Sequence, residues 1–209
     1  MKKPNLPLVY MVCLLLVGVL LAAVPADNGY QVGDTARDFK LKNVDGKMVS
    51  MADYKDAKGF IVTFTCNTCP YSVAYEDRII DLHKKYAPKG YPVIAINPND
   101  ATASPKDSYA DMQQRAKKKN FPFAYLHDET QEITKAYGAT RTPHLYIVQK
   151  QKDGKYKVAY IGTIDDNSRD ASKVEKKYAE AALDQMVAGK TISQPNTKAI
   201  GCTIKWREA

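Results

Sequence analysis

The sequence predicts an α/β fold with a mixed central sheet flanked by helices. Apolar runs of strand length alternate with segments whose apolar residues recur at helical spacing, which is typical of parallel strands joined by helices. Two later apolar runs are separated by Asp153-Gly154, which indicates a hairpin and therefore antiparallel strands. Residues 30–190 are long enough for one domain with a substantial core and too short for two full-sized domains.

The first part of this domain contains a predicted hairpin, a buried strand and a helix. Residues 38–54 alternate apolar and polar side chains around the turn Asp45-Gly46, which predicts an N-terminal β-hairpin. Residues 60–66 are largely β-branched and aromatic, as in a central buried strand. Pro70 suits the first position of a helix. The apolar face of this helix carries Tyr75, Ile79, Leu82 and Tyr86.

The middle of the domain predicts an inserted helix and strand. Residues 93–96 form a second buried strand, and Ser-Pro-Lys-Asp at residues 104–107 is a capping signal for the inserted helix. Residues 123–126 form the inserted strand. Residues 128–137 predict a short helix that ends at Gly138.

The end of the chain predicts a closing hairpin, a helix and a tail. Residues 144–148 and 158–161 are the strands of the hairpin. Residues 172–175 read Ser-Lys-Val-Glu, a capping box for a last helix that ends near Gly189. We expect residues 191–209, which contain Pro195, to form an extended C-terminal tail rather than a second domain.

The N-terminus has the pattern of a secretory signal peptide over residues 1–26. Lys2 and Lys3 precede an apolar stretch at residues 8–24, and small residues lie near its end. The alternative is a retained membrane anchor, since the apolar stretch approaches spanning length. We therefore expect an exported protein, periplasmic or extracellular, that contacts a membrane only through an uncleaved N-terminal segment.

The charge distribution indicates a solvated surface rather than a nucleic-acid site. The chain has 31 basic and 23 acidic residues, a formal net charge of +8, and the two signs are mixed along the sequence. The densest basic run, Lys117-Lys118-Lys119, lies at the end of a predicted helix, where cations favour the helix dipole. No nucleic-acid partner is predicted.

Cys66-Asn67-Thr68-Cys69-Pro70 places two thiols at the turn between a buried strand and a helix. A thiolate at a helix start faces unpaired backbone N–H groups, and the spacing lets the second sulfur resolve a mixed disulfide formed by the first. We assign Cys66 as nucleophile and Cys69 as resolving cysteine, with Asn67 and Thr68 as accessory hydrogen-bonding residues. A static disulfide is the alternative, and a zinc site lacks a second Cys or His pair at ligand spacing.

These elements, together with Thr142-Pro143 just before a later strand, resemble the thioredoxin-like superfamily. The N-terminal hairpin and the inserted helix and strand are similar to the redoxin branch, which includes secreted thiol-disulfide oxidoreductases and the peroxiredoxin or thiol-specific antioxidant family. The resemblance implies a cis Pro143 beside the dithiol and makes Thr142 and Pro143 substrate-binding residues. Phe60 stands where a thioredoxin buries an acidic proton acceptor, and Gly59 replaces a proline of the peroxiredoxin pattern.

Three further residues are accessory candidates. Arg141 and His144 flank the Thr-Pro turn, where a cationic or titratable side chain lowers the pKa of a thiol or accepts its proton. The alternative is that each is an ordinary solvated charge or a polar residue of the strand. Cys202 is expected to be a buried free thiol that anchors the tail; the alternative is a third redox cysteine that exchanges with the dithiol. Glu76 is expected on the helix surface.

The sequence thus predicts a thiol-disulfide oxidoreductase acting on protein disulfide or dithiol clients and linked to an upstream redox partner. No organic cofactor and no metal are required. One alternative is a thiol peroxidase, in which a hydroperoxide oxidises a cysteine to sulfenic acid. Another is a metallochaperone that binds Cu(I) through the cysteine pair and His144.

Overall fold

The structure, a computed structural model, describes residues 29–208. Its strands are β1 (Thr35–Ala36), β2 (Leu41–Asn43), β3 (Met48–Val49), β4 (Gly59–Phe64), β5 (Val93–Asn97), β6 (Ala124–His127), β7 (Arg141–Thr142), β8 (His144–Lys150), β9 (Tyr156–Gly162) and β10 (Cys202–Thr203). Its α-helices are α1 (Pro70–Tyr86), α2 (Tyr109–Lys119), α3 (Glu132–Tyr137) and α4 (Tyr178–Val187).

The strands build a mixed sheet with β4 and β5 at its centre. The order is β1-β9-β8-β4-β5-β6-β2-β3, and β10 pairs separately with β7. β4, β5 and β6 are parallel, β8 runs antiparallel to β4, and β9 pairs with β8 in antiparallel register and so runs in the same direction as β4. The predicted mixed sheet flanked by helices is confirmed.

Both faces of the sheet are covered, which explains the uninterrupted apolar run of β4. Ile61 faces the cluster that contains apolar residues of α1 and α4, whereas Phe60, Val62 and Phe64 face the cluster that contains Tyr137 of α3. Every residue of β4 is buried. Since each buried aliphatic or aromatic side chain stabilises a fold by about 1.5–3 kcal/mol, β4 is held rigidly up to the point where the cysteine motif begins.

Two of the predicted helix starts are wrong because the residues of the predicted caps form other hydrogen bonds. α2 begins after Ser108, whose Oγ accepts a hydrogen bond from Asp111 N at 3.2 Å, and the predicted cap Ser104 instead precedes a short 3-10 turn. α4 begins at Tyr178 rather than near Ser172. The hydroxyl of Ser172 donates to Asp170 and the backbone of Glu175 donates to Asp166, so the predicted capping box does not form.

α3 is shorter than predicted because the residues after Asp128 form a turn that the Asp128 side chain stabilises. The buried Asp128 carboxylate accepts from the backbone and the hydroxyl of Thr134, at 2.8 and 2.6 Å. The chain between them forms a turn, and α3 begins at Glu132. Gly138 ends the helix with a positive φ, as predicted.

The tail returns across the sheet to the cysteine motif. Ile161 N donates to Pro195 O at 3.0 Å and Thr197 N donates to Ile161 O at 2.9 Å, so the tail first runs beside β9. Further along, β10 pairs with β7 in antiparallel register, Cys202 opposite Thr142. The tail thereby carries Cys202 to the site described below.

No helix within residues 29–208 combines the length and apolarity that a bilayer span requires. The predicted signal peptide or anchor at residues 1–26 lies outside the described residues.

Candidate active site

The two cysteines of the motif lie where β4 passes into α1. Thr65 N donates to Ile96 O at 2.8 Å, which extends the sheet pairing up to the first cysteine. Cys69 is the N-cap residue of α1 and Pro70 is its first residue, a position where the missing proline N–H leaves no intrahelical bond unmade. The side chains of Cys66 and Cys69 are only 3 % and 4 % exposed.

Cys66 is a free thiol between two hydroxyls. Its Sγ lies 3.3 Å from Thr142 Oγ1, and its thiol donates to Ser72 Oγ at 3.9 Å. Ser72 belongs to the first turn of α1 and Thr142 directly precedes the cis Thr142-Pro143 bond. The predicted binding residues Thr142 and Pro143 therefore lie against the predicted nucleophile, and all of these groups are buried.

Cys69 is joined to Cys202 by a disulfide, with the two Cα atoms 6.0 Å apart. The expectation that Cys202 is a buried free thiol is therefore wrong. The pairing of β10 with β7 places Cys202 opposite Thr142, and Cys69 Sγ lies 3.1 Å from the Thr142 carbonyl oxygen. Sequence reasoning left this pairing open because the two cysteines are separated by 133 positions, and no local pattern reports such a contact.

Asp107 holds the turn between the two cysteines. Its carboxylate accepts from Asn67 N at 2.7 Å and from Thr68 Oγ1 at 3.1 Å. Asn99 and Ser104 donate to the same group at 2.8 and 2.7 Å. The Asp107 side chain is completely buried, so these four donors compensate for its desolvation. Sequence reasoning treated Asp107 only as part of a helix cap.

Asn67 and Thr68 therefore have a different role from the one predicted. The amide of Asn67 accepts from Tyr125 OH at 2.9 Å and donates to Lys106 O at 2.9 Å. Their hydrogen bonds fix the turn to the inserted helix and strand, and none of them goes to the Cys66 sulfur. We conclude that both residues position the cysteines.

Replacing Asp107 with asparagine should lower the free energy of unfolding by about 2–4 kcal/mol, because an amide presents a donor to groups that are themselves donors. Urea denaturation measures this change. Asn at exposed Asp56 is the matched control and should change the free energy of unfolding by no more than about 0.5 kcal/mol. An equally small effect at Asp107 would contradict its role in holding the turn.

Neither His144 nor Arg141, the two predicted accessory residues beside the Thr-Pro turn, places a positive charge next to the cysteine sulfurs. His144 is buried, its Nδ1 accepts from Thr140 N at 3.4 Å, and burial lowers its pKa to about 4. The imidazole is therefore neutral near neutral pH. Arg141 is exposed and donates through Nη1 to Gly201 O at 3.1 Å, so its guanidinium contacts the tail.

The low pKa of His144 predicts that acid weakens the fold. An unfolded chain protonates this histidine near its ordinary pKa of 6.5, whereas the folded protein resists until about pH 4. The unfolded state therefore binds more protons in this window, and the free energy of unfolding should fall by about 3 kcal/mol as the pH drops through it. Urea titrations at several pH values measure this slope.

Asparagine at position 144 is the control, since its Oδ1 can replace Nδ1 as acceptor and does not titrate. This variant should lose most of the pH dependence above pH 4.5. Some slope should remain, because burial also lowers the pKa of His83 and of His127. An unchanged slope would show that His144 is not the group responsible.

Glu76 is buried, contrary to the expected surface position. Its carboxylate forms a two-point ion pair with Arg115 of α2, at 2.6 and 2.7 Å, and lies 3.5 Å from Lys119. Glu76 and Cys66 also line one small cavity. Its partners come from the inserted helix, so a reading of α1 alone could not reveal the burial. The ion pair ties α1 to α2 beside the cysteines.

The side chains of residues 29–208 contain no group of three or more His, Cys, Asp and Glu arranged to hold a metal ion. His144, the predicted third copper ligand, has its Nδ1 engaged with Thr140. The copper alternative therefore gains no support from the site.

The fold and the site define a thioredoxin-like protein of the redoxin branch: two cysteines between a buried strand and a helix, set against a Thr-Pro turn. The chain belongs to the AhpC/TSA family, whose model matches residues 32–159. This membership implies thiol-based oxidoreductase or peroxidase chemistry.

Among solved structures, the chain is similar to an uncharacterized conserved protein from Geobacillus kaustophilus, with 37% identity, a TM-score of 0.79, and 87% of this chain and 95% of that one covered. It is also similar to a hypothetical protein from Sinorhizobium meliloti 1021, with 31% identity, a TM-score of 0.79, and 87% and 98% covered. Peroxidoxin BcpB from Mycobacterium tuberculosis shares the fold, with 16% identity, a TM-score of 0.58, and 76% and 97% covered. No curated protein matches the chain.

Proposed function

We propose that this protein is an exported thiol-disulfide oxidoreductase that exchanges disulfides with cysteines in extended protein segments. The observation that carries the proposal is that the C-terminal tail is bound at the cysteine motif. An extended, cysteine-bearing strand, β10, lies antiparallel on β7, and its sulfur is bonded to Cys69 of the motif. A client segment on the same edge brings its own sulfur opposite Thr142, which contacts the sulfurs of both Cys66 and Cys69.

The first half of the reaction uses Cys66 and Cys69. The Cys66 thiolate attacks one sulfur of a client disulfide, and the other client sulfur leaves as a thiolate that takes up a proton. Cys69 then attacks the Cys66 sulfur of the mixed disulfide. The client is released with two thiols, and the protein holds a Cys66–Cys69 disulfide.

Cys202 completes the cycle by taking over this disulfide. Its thiolate attacks Cys69, the bond between the motif cysteines breaks, and Cys66 leaves as a thiolate. The product is a Cys69–Cys202 disulfide with a free Cys66, the arrangement present in the structure. No electrons are gained or lost in this step, and an upstream dithiol partner is needed to reduce the protein again.

Access to the cysteines requires the tail to move. With β10 in place, Cys66 and Cys69 are almost fully buried, and the tail strand occupies the edge beside Thr142. Reduction of the Cys69–Cys202 bond leaves the tail held only by non-covalent contacts. We therefore expect clients to bind the reduced protein, in which the tail can be displaced.

A thiol peroxidase is the second candidate, because the chain belongs to the AhpC/TSA family. Thr63 also stands three positions before Cys66, where the peroxiredoxin pattern has a threonine. In that reaction Cys66 takes one oxygen from a hydroperoxide and an alcohol or water leaves. A second cysteine then condenses with the sulfenic acid to release water. Among the described residues the buried Thr63 hydroxyl has no hydrogen-bond partner and is not bonded to the Cys66 sulfur, so its contacts do not support a part in peroxide reduction.

Stopped-flow oxidation of the reduced full-length protein separates the two candidates. The oxidant is a peptide disulfide in one series and hydrogen peroxide in the other. We expect the peptide disulfide to react well above the rate of free glutathione, and peroxide to react no faster than with free cysteine. The reverse ranking would overturn the proposal and assign the protein as a peroxidase.

Export rests on the pattern of residues 1–26 and on the disulfide, which persists in oxidising compartments. N-terminal sequencing of the protein recovered from its native compartment tests this part. A mature chain that begins near residue 27 supports a cleaved signal. An intact N-terminus in the membrane fraction supports the anchor instead, and an intact N-terminus in the cytosol contradicts export.

A further inference from the structure

We infer that the client groove, the edge along β7 on which the tail strand β10 lies, selects a segment with glycine directly before the reactive cysteine and a branched aliphatic residue two positions after it. The inference rests on the proposed function and adds the chemistry of the client. The protein's own tail, Gly201-Cys202-Thr203-Ile204-Lys205, occupies the groove and shows which side chains each position accepts.

The client has to lie where the tail lies, because the position of the sulfur fixes the strand. Cys202 is paired with Thr142 and bonded to Cys69. Thr142 contacts both motif cysteines, since its Oγ1 lies 3.3 Å from Cys66 Sγ and its carbonyl oxygen lies 3.1 Å from Cys69 Sγ. A client cysteine opposite Thr142 therefore meets the attacking Cys66 as well as Cys69, and because side chains on a strand alternate in direction, its neighbouring residues are fixed too. Each of those neighbours meets a defined part of the protein.

The position before the cysteine accepts only glycine. A Cβ atom built on Gly201 would overlap the carbonyl carbon and oxygen of Thr142 and would lie 3.0 Å from Pro143 N. These are backbone atoms of the buried Thr-Pro turn, so they cannot turn aside as a flexible side chain could. Any larger residue pushes the client strand, and its sulfur, away from the dithiol.

The two positions after the cysteine differ sharply. Thr203 is exposed, so the residue directly after the client cysteine can have any side chain. Ile204 is only 4 % exposed and belongs to the apolar cluster that includes Phe64 and Tyr137. A polar residue here would be buried without a partner, whereas a branched aliphatic residue fills the same space.

The next position is bound through its backbone and is therefore indifferent to sequence. Lys205 N donates to Asn99 Oδ1 at 2.9 Å, and Lys205 O accepts from Asp100 N and Gln131 Nε2, both at 2.9 Å. Its side chain is exposed. The groove thus combines two side-chain requirements with three backbone bonds that any extended segment can make.

Short peptides activated as mixed disulfides with thionitrobenzoate provide the test. The protein is the reduced full-length Cys202→Ser variant, which keeps its tail strand but cannot form the internal disulfide. Attack by Cys66 on the peptide sulfur releases thionitrobenzoate, which is followed by absorbance. Each rate is divided by the rate of the same peptide with dithiothreitol, so that intrinsic reactivity cancels.

The reference peptide is Gly-Cys-Thr-Ile-Lys, and three others change one residue each. Alanine for glycine and serine for isoleucine should each lower the normalised rate by about tenfold or more. Alanine for threonine is the matched control and should change the rate by less than about twofold, because that side chain stays in solvent. The remaining tail competes equally with all four peptides and does not affect the ranking.

Two results would overturn the inference and are distinguishable from each other. Equal rates for all four peptides, each well above the rate of glutathione, would remove the selectivity and leave the proposed function intact. Rates no faster than glutathione for every peptide would remove both.

Discussion

Serine in place of Cys69 should stop turnover and leave client proteins attached to Cys66 as mixed disulfides. The attacking sulfur remains, but the neighbouring thiol that resolves its bond to the client is lost. Intramolecular groups act at effective concentrations far above those of dissolved thiols, so resolution should slow at least about a thousandfold. Non-reducing electrophoresis and mass spectrometry of captured clients measure the accumulation.

The tail supplies the control for this experiment. Cys202 can approach the site, so the Cys69→Ser and Cys202→Ser double variant should trap clients at least as well as the single one. Cys66→Ser should trap none, since the attacking sulfur is absent. Equal trapping by the Cys66 and Cys69 variants would refute the two assigned roles.

Alanine in place of Gly201 should expel the tail from the groove. The new Cβ collides with the Thr142 carbonyl group, so β10 cannot remain paired with β7. The variant should lose the Cys69–Cys202 disulfide after mild oxidation. When it is reduced, Cys66 should react with iodoacetamide about tenfold faster or more, because a thiol under a displaced strand is exposed more of the time.

Thr203→Ala is the matched control, since it changes the neighbouring tail residue without approaching the protein. Its disulfide and its alkylation rate should equal those of the wild type. If Gly201→Ala also behaves like the wild type, the tail does not bury the cysteines in solution. Selection for glycine by the client groove would then lose its steric basis as well.

Local sequence patterns predicted the elements that carry the dithiol. β4 is recognisable because both faces of the central sheet are covered, which requires an unbroken apolar run. Pro70 marks the start of α1 because proline fits the first helical position without losing a bond. The two cysteines lie between the end of β4 and the start of α1, so their location can be predicted from residues 59–70 alone.

The partners of the dithiol could not be predicted in the same way, because they come from distant parts of the chain. Asp107 contacts Asn67 from 40 positions away, and Arg115 buries Glu76 across 39 positions. The strand that carries Cys202 has two residues and no apolar alternation to reveal it. Such contacts follow from the packing of the whole fold.

The Ser-Lys-Val-Glu sequence at residues 172–175 shows a second limit of local patterns. It matches a capping box, yet the nearby carboxylates of Asp166 and Asp170 bind the groups that the box would use. Competing hydrogen bonds to Asp side chains therefore decide where α4 begins.

Disulfide mapping after a single turnover bears on every step of the proposed cycle. The fully reduced protein is mixed with one equivalent of a peptide disulfide, quenched with an alkylating agent, and digested without reduction for mass spectrometry. We predict that the peptide is fully reduced, that Cys69 and Cys202 are linked, and that Cys66 carries the alkyl group. An unreacted peptide together with three alkylated cysteines would contradict disulfide exchange by this protein.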